Sequence, residues 1–261
     1  MLNRATSIRL ALLCTLLLVI FSCVTAAAEG FPLREKYPDV KYMTTDELAA
    51  NFNTTIAIDV RSKVEYNIAH INRALNISLA NETFVDEIEK LRTISPTTTI
   101  ATYCNGHTCA KSYKAAQKAQ EAGVNNIFVY DAGIFDWILA HPDRATLMGQ
   151  TPAPVSKIIS KENFTAKMLP WSDFSKKVAD ADTLVIDIRE PFQRKEIPNI
   201  TDLLNIPMDD LIKRLWKKEY ADKQLLFIDA VGKQVRWLQY HLEANGYTNY
   251  YFLKEGVRGI K

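Results

Sequence analysis

The sequence carries almost no net charge and very few cysteines. Lysine and arginine number 32 and aspartate and glutamate 30, which leaves a formal charge of +2 over 261 residues. This balance gives no indication of the basic surface that nucleic-acid binding requires, so we expect no nucleic-acid partner. A hydrophobic content of 48% also separates the chain from disordered and collagen-like sequences. The composition therefore predicts a globular protein of one large or two ordinary domains.

Signatures of cofactor and metal sites are missing from the sequence as well. It contains no P-loop and no G-x-G-x-x-G motif. The four histidines, His70, His107, His141 and His241, are too far apart in sequence for a zinc site. We therefore expect neither a cofactor nor a bound metal.

Long apolar runs are absent except near the N-terminus. Arg4 and Arg9 accompany a nearly unbroken apolar segment over residues 10–22, followed by Ala26-Ala27-Ala28. The segment is too short for a membrane span, and its flanks are typical of a secretory signal peptide. We expect cleavage of residues 1–28 and export to the periplasm. One alternative is lipidation of Cys23, which lies in a stretch similar to a bacterial lipobox and would leave the protein anchored to a lipid on the periplasmic side. A second alternative is that the apolar segment is not cleaved and itself anchors the protein.

Cys104 and Cys109 are the cysteines that remain after cleavage at residue 28. Disulfide-stabilised secreted scaffolds distribute their cysteines along the chain, whereas these two are only five positions apart. We interpret them as parts of a chemical site.

Short β-branched runs alternate with helical patterns after the N-terminal segment. Strands are predicted at residues 56–60, 99–104, 127–130, 184–188, 225–229 and 250–253. Helices are predicted at residues 45–52, 84–91, 111–122, 171–179, 209–219 and 234–245. This alternation predicts an α/β fold in which each small parallel sheet has helices on both faces.

The two halves of the chain repeat each other. Ile58-Asp59-Val60-Arg61 recurs as Ile186-Asp187-Ile188-Arg189, and Gly133 corresponds to Gly256. The repeat predicts two domains, residues 41–140 and 161–261, joined by a proline-containing linker at residues 141–160.

Cys104 ends a predicted buried strand, and a helix begins near Ala110. A short loop between a strand and a helix directs backbone N–H groups and the positive helix end toward one point. A thiol placed there is expected to be acidified, to a pKa of roughly 3.5–7.5 at comparable helix N-termini. The pattern predicts a sulfur nucleophile beside an anion-binding loop.

Three stretches of the first half resemble motifs of the rhodanese family. The first lies between Asp59 and Ile77 and contains D-x-R, E-Y, H-I and A-L-N-I. The second, Cys104-Asn-Gly-His-Thr-Cys-Ala-Lys-Ser112, resembles the active-site loop of a C-x-G-x-x-C-x-x-S subgroup. The third, Ala132-Gly-Ile-Phe-Asp-Trp137, resembles the G-G-x-x-x-W that follows the last strand. Glycine is usual in the family where this chain has Ala69, Arg73 and Ala132.

The resemblance implies a tandem of two rhodanese-like domains with sulfurtransferase activity. Cys104 would accept sulfane sulfur from a small anionic donor such as thiosulfate and pass it from a persulfide to cyanide or a thiol. No partner protein is implied. The substrate-binding residues that it implies are Asn105, Gly106, His107, Thr108, Cys109, Ala110 and Arg61. Arg61 also fits a structural ion pair with Asp59 or Glu65.

The second half departs from this pattern, because Asp229 ends the strand that corresponds to the one before Cys104. An aspartate cannot form a persulfide. We expect the second domain to be catalytically inactive, although Lys233 and Arg236 leave open a cationic contact to a substrate or partner.

Three functions remain open at this point. The first is an exported sulfurtransferase using Cys104. The second is a thiol redox or sulfur-carrier protein in which Cys109 resolves Cys104, and the third is a non-catalytic binding module. We expect Cys109 mainly to pack the loop, with a Cys104–Cys109 disulfide as a secondary, inactivating state. A phosphatase is excluded because Ala110 stands where Cys-x5-Arg chemistry needs arginine.

Overall fold

The computed structural model describes residues 30–260, which form two compact units divided after residue 155. The predicted signal peptide and Cys23 lie outside the described residues. Within them, no helix is both long and apolar enough to cross a membrane.

The first unit contains a four-stranded parallel sheet. The strands of this sheet are β1 (Thr55–Asp59), β3 (Leu75–Asn76), β4 (Thr99–Tyr103) and β5 (Ile127–Tyr130). Two further strands, β2 (Ala69–Ile71) and β6 (Ala145–Leu147), form a separate antiparallel pair. The sheet order is β3-β1-β4-β5, and Ile58 is in register with Leu75 on one side and Thr102 on the other. The helices are α1 (Leu33–Lys36), α2 (Thr45–Ala50), α3 (Lys63–Ile68), α4 (Phe84–Ile94), α5 (Lys111–Glu121) and α6 (Gly133–Ala140), with a 3-10 turn at Pro142–Arg144.

The second unit repeats the sheet with one more strand. Its strands are β7 (Met168–Leu169), β8 (Thr183–Asp187), β9 (Leu204–Asn205), β10 (Gln224–Ile228) and β11 (Tyr250–Leu253), in the order β7-β11-β10-β8-β9. Its helices are α7 (Lys161–Ala166), α8 (Trp171–Val178), α9 (Met208–Trp216) and α10 (Val235–Ala244), with 3-10 turns at Pro191–Gln193 and Gly256–Gly259. A further 3-10 turn, Val155–Lys157, lies at the boundary in sequence. Parallel sheets flanked by helices are the α/β fold that the sequence predicts.

The buried apolar side chains of the strands explain why the sheets form at these positions. Ile58, Ile100 and Val129 are almost completely buried in the first unit, and Leu226 and Ile228 occupy the core of the second. Because parallel strands are covered on both faces, they need continuous apolar runs rather than alternating ones. The six predicted strands lie within one residue of their predicted bounds. The strands β3, β7 and β9 were not predicted, because two residues are too few to form an apolar run.

Part of the predicted linker is ordered within the first unit. Strand β6 pairs antiparallel with β2, so that Ala69 faces Leu147 and Ile71 faces Ala145. Two three-residue strands are too short to give a period-two pattern in the sequence, which is why the pair was not predicted.

A buried ion pair follows the corresponding strand in each unit. Arg61 and Asp59 are both fully buried, as is Asp187, and Arg189 is 2% exposed. Burial on its own lowers the pKa of Arg61, and the adjacent Asp59 raises it above its ordinary value, so the guanidinium stays charged. Each pair therefore supports the fold only while both partners are present.

Replacing Arg189 by leucine tests this dependence away from the cysteines. Asp187 would remain buried and unpaired, which destabilises by about 3–5 kcal/mol. Urea unfolding of the full chain should show a clear loss of stability for Arg189→Leu. The exposed pair between Lys176 and Asp173 provides a control, because Lys176→Ala should give no measurable change. Equal stability of the two variants would contradict the role of the buried pair.

Candidate active site at the end of strand β4

Cys104 lies at the carboxyl end of β4, 1% exposed, and helix α5 begins seven residues later. Its carbonyl oxygen accepts a hydrogen bond from the Ile134 N–H at the start of α6 (3.0 Å). Gly133 lies beneath the loop with φ +76°, and a Cβ there would collide with the backbone of Gly106 and Asn105. Glycine is therefore required at residue 133 both for its conformation and for the close approach of the loop.

The structure joins Cys104 and Cys109 by a disulfide, with Cα atoms 6.4 Å apart. This is the pairing that the sequence left open as a secondary state. Cys109 also packs against the core of the first unit. That packing is its main role, with the disulfide secondary, stays a prediction. The Cys104 Sγ lies 3.2 Å from the Cys109 carbonyl oxygen and 3.5 Å from the hydroxyl of Ser112.

The loop amides are not all free to hold an anion in this disulfide state. The Cys109 N–H donates to the Gly106 carbonyl (2.8 Å) and closes a turn inside the loop. Gly106 has φ +140°, in the region that favours glycine. The anion cradle predicted for residues 105–110 thus requires the turn to open, and the assignment of these residues to substrate binding stays a prediction.

Arg61 contacts the loop through the side chain of Asn105. Its Nη1 donates to Asn105 Oδ1 (3.1 Å), and Asn105 Nδ2 donates to Glu65 Oε1 (3.1 Å). The guanidinium also donates to Asp59 and to the Ala69 carbonyl. Because Arg61 is completely buried, it positions the loop in this state rather than facing a ligand in solvent.

Glu65 supports the loop and was not among the predicted site residues. Burial raises its pKa, but Lys111, Arg61, Asn105 and Ser62 outweigh burial and lower the pKa overall, so it acts as a carboxylate. It also completes a capping box with Ser62 at the start of α3. The spacing Ser62-x-x-Glu65 is the sequence signal that predicts such a cap.

His107 points to residues that the sequence analysis did not connect with the loop. Its Nε2 lies 2.9 Å from Asp136 Oδ2, and its Nδ1 lies 2.7 Å from the Gly30 carbonyl oxygen. Phe31 stacks on its ring at 4.1 Å between centroids. Thr108 is exposed and Ala110 half-buried at the end of the loop. The contact of His107 with residues 30 and 31 could not be predicted, because no periodic pattern in the sequence links these distant positions.

The second unit carries the same loop with Asp229 in place of the cysteine. The Asp229 carboxylate accepts hydrogen bonds from the N–H groups of Val231 (3.1 Å), Gly232, Gln234 (2.7 Å) and Val235 (3.4 Å). Its carbonyl accepts from the Val257 N–H (2.9 Å), as Cys104 does from Ile134. Four backbone donors thus converge on one carboxylate, and the second loop is an anion cradle filled by its own side chain.

The charge of Asp229 reflects two opposing effects. Burial raises its pKa, and the four N–H groups oppose that rise. The carboxylate is held by backbone groups.

Asp229→Ala should empty the second cradle. Leaving buried N–H donors unpaired destabilises by about 1–3 kcal/mol, and an anion that binds the folded state restores stability. We expect added thiosulfate or sulfate to stabilise Asp229→Ala more than the unaltered chain in thermal unfolding. Sodium chloride at equal ionic strength is the control. The same response to anions in both proteins would show that the cradle does not persist without the carboxylate.

Comparison with known proteins agrees with this architecture. The Rhodanese-like domain family matches residues 44–140 and again residues 171–261. No curated protein matches the chain.

Similar solved structures are distant. Thiosulfate sulfurtransferase of Pseudomonas aeruginosa is 18% identical, with 84% of this chain and 42% of that chain covered and a TM-score of 0.37. The BH2092 protein of Bacillus halodurans is 20% identical over 51% of this chain and 94% of its own, also with a TM-score of 0.37. A rhodanese-related protein of Thermoplasma volcanium is 23% identical over 38% of this chain and 92% of its own, with a TM-score of 0.31. The family matches, by contrast, cover most of both units, and the chain belongs to the rhodanese-like family as a tandem of two such domains.

Proposed function

We propose that the protein is a sulfurtransferase that carries sulfane sulfur as a persulfide on Cys104. The observation that carries the proposal is the position of Cys104 at the junction of β4, a glycine-containing loop and helix α5. Loop amides and a helix N-terminus at this position favour a thiolate and can stabilise an anionic sulfur. The donor is a small sulfur anion such as thiosulfate, and the acceptor is cyanide or a thiol.

The second cradle supports the proposed role of the first. The same loop in the second unit directs four N–H groups at a buried carboxylate. A reduced first loop that adopts this arrangement would present its amides to the terminal sulfur of a persulfide. The second unit itself is proposed to be inactive, because Asp229 fills its cradle and cannot accept sulfur.

Substitution of the two corresponding residues tests which unit is active. With reduced protein, Cys104→Ser should abolish thiosulfate:cyanide sulfur transfer because serine cannot form a persulfide. Asp229→Ala should leave the rate within a few fold of that of the unaltered chain. The opposite pattern would assign activity to the second unit. A complete lack of sulfite release when the unaltered, reduced protein is mixed with thiosulfate would favour a binding module.

The disulfide favours a second candidate, a thiol–disulfide exchange protein. Cys104 and Cys109 form a closed pair that a dithiol can reduce. Their spacing differs from the C-x-x-C of common redox motifs, which argues for sulfur transfer first. Oxidation of a dithiol by the disulfide form, with transfer of those electrons to a second disulfide and no sulfane sulfur present, would identify this candidate.

We further propose export, on the basis of the short apolar segment at residues 10–22 and the alanines that follow it. Mature protein isolated from its host should begin at Glu29 or at a lipidated Cys23. N-terminal sequencing and intact mass distinguish these two ends. Recovery of Met1 on a protein in the cytoplasm would contradict export.

A further inference from the structure

We propose that Cys109 attacks the persulfide on Cys104 and releases its outer sulfur as hydrosulfide, forming the disulfide seen in the structure. This inference rests on the proposed function, because it requires a persulfide on Cys104. It makes the protein a dithiol-dependent producer of sulfide and gives Cys109 a role in the reaction.

The pairing of the two cysteines identifies which sulfur Cys109 can attack. The disulfide joins the two Sγ atoms directly, across a Cα separation of 6.4 Å that lies within the usual disulfide range of about 4.4–6.8 Å. In a persulfide, the Cys104 Sγ is the inner sulfur and the transferred atom is the outer one. A thiolate that reaches the inner sulfur expels the outer sulfur instead of accepting it.

The loop is built to keep Cys109 within reach of Cys104. Asn105, next to Cys104, is held by Arg61 and Glu65 (3.1 Å each). At the other end, the Thr102 hydroxyl donates to the Ser112 carbonyl (3.0 Å) and fixes the first turn of α5 to strand β4. The attack is therefore intramolecular, and such arrangements reach effective molarities of about 10⁵ M or more. An external acceptor therefore has to compete with this internal attack.

The persulfide and disulfide states require different loop arrangements. In the disulfide state the Cys109 carbonyl oxygen lies 3.2 Å from the Cys104 Sγ. A carbonyl oxygen repels an anionic outer sulfur, so the persulfide needs the turn between Gly106 and Cys109 to be open.

The chemistry balances when a dithiol is the reductant. First, the Cys104 thiolate takes the outer sulfur of thiosulfate and sulfite leaves. Next, the Cys109 thiolate attacks the Cys104 Sγ, the bond between the two persulfide sulfurs breaks, and hydrosulfide leaves with the electron pair. A dithiol then reduces the disulfide and is itself oxidised to a disulfide. In sum, thiosulfate and a dithiol give sulfite, hydrosulfide, one proton and an oxidised dithiol.

The burial of the pair determines where the dithiol attacks. Cys104 is 1% exposed, whereas Cys109 is half-buried. The reductant therefore approaches the Cys109 sulfur and expels Cys104 as the leaving thiolate. A thiolate at a helix N-terminus is a good leaving group, since more acidic thiols leave faster. Reduction in this direction regenerates the nucleophile directly.

A single-turnover experiment without any added thiol tests the proposal. The full chain is reduced, freed of reductant under anaerobic conditions and mixed with thiosulfate, and sulfite, sulfide and intact mass are measured. The unaltered protein should release sulfite and sulfide in equal amounts and end lighter by two hydrogens. Cys109→Ser should release sulfite, retain one additional sulfur atom, and release at least about tenfold less sulfide. Cyanide should remove the retained sulfur from Cys109→Ser, which shows that this variant is folded and loaded.

Two controls separate the inference from the function on which it rests. Cys104→Ser should release neither sulfite nor sulfide. Any sulfur bound to Cys14 or Cys23 of the N-terminal segment would appear in the intact mass of this variant as well. If the unaltered protein and Cys109→Ser both keep the sulfur atom and release no sulfide, the inference is wrong while the persulfide function stands. If neither protein releases sulfite or gains sulfur, the proposed function fails and the inference fails with it.

Discussion

The buried arginine–aspartate pair after the first long strand of each unit is the interaction on which the site depends. Arg61 is fully buried, and its guanidinium is shared among Asp59, the Ala69 carbonyl and Asn105. Removing two charges from water costs several kcal/mol per ion unless their hydrogen bonds are satisfied. Here the remaining donors of Arg61 are used to hold the start of the reactive loop. In the second unit Arg189 makes the same pair with Asp187 and extends to the Gln193 and Glu196 carbonyls.

The two units present corresponding loops in two chemically different states. In both, a glycine at positive φ beneath the loop allows close packing, and the residue at the end of the strand accepts a hydrogen bond from the following helix or 3-10 turn. In the second unit the cradle amides converge on Asp229, whereas in the first the sulfur of Cys104 is bonded to Cys109. The two loops therefore share a position between a strand and a helix but not a length, because α5 begins seven residues after Cys104 and α10 begins six residues after Asp229. The side chain at the end of the strand distinguishes their chemistry.

Much of this arrangement could be predicted from the sequence because it rests on local, repeated patterns. The strands follow apolar β-branched runs, and the repeat of Ile-Asp-[Val/Ile]-Arg identifies both buried pairs. The positive φ of Arg73 (+67°) also accounts for the glycine that is usual in the family at that position. In contrast, helix α3 is only six residues long and has no strong apolar periodicity of its own. The local pattern that indicates this helix is its capping box, formed by Ser62 and Glu65.

Contacts between distant segments could not be predicted, for a physical reason. The stacking of Phe31 on His107 and the pairing of β2 with β6 join segments separated by more than 70 residues. Neither contact imposes a period on the sequence, since each is set by where the sheet places the segments. The sequence also could not predict whether Cys104 and Cys109 are bonded, because a spacing of five residues permits both a packed thiol and a disulfide.

Each loop is closed on the residue that ends its strand, but only one of them can be opened by chemistry. The Asp229 carboxylate is a permanent part of its cradle, because no reaction of a reductant or a sulfur donor removes it. The Cys104–Cys109 bond closes the first loop covalently, and thiol–disulfide exchange breaks it. An unoccupied cradle would leave several backbone donors without partners, which costs stability in either unit. In the proposed reaction, this cleavable bond lets the first loop stay closed between turnovers and expose Cys104 when a dithiol reduces it.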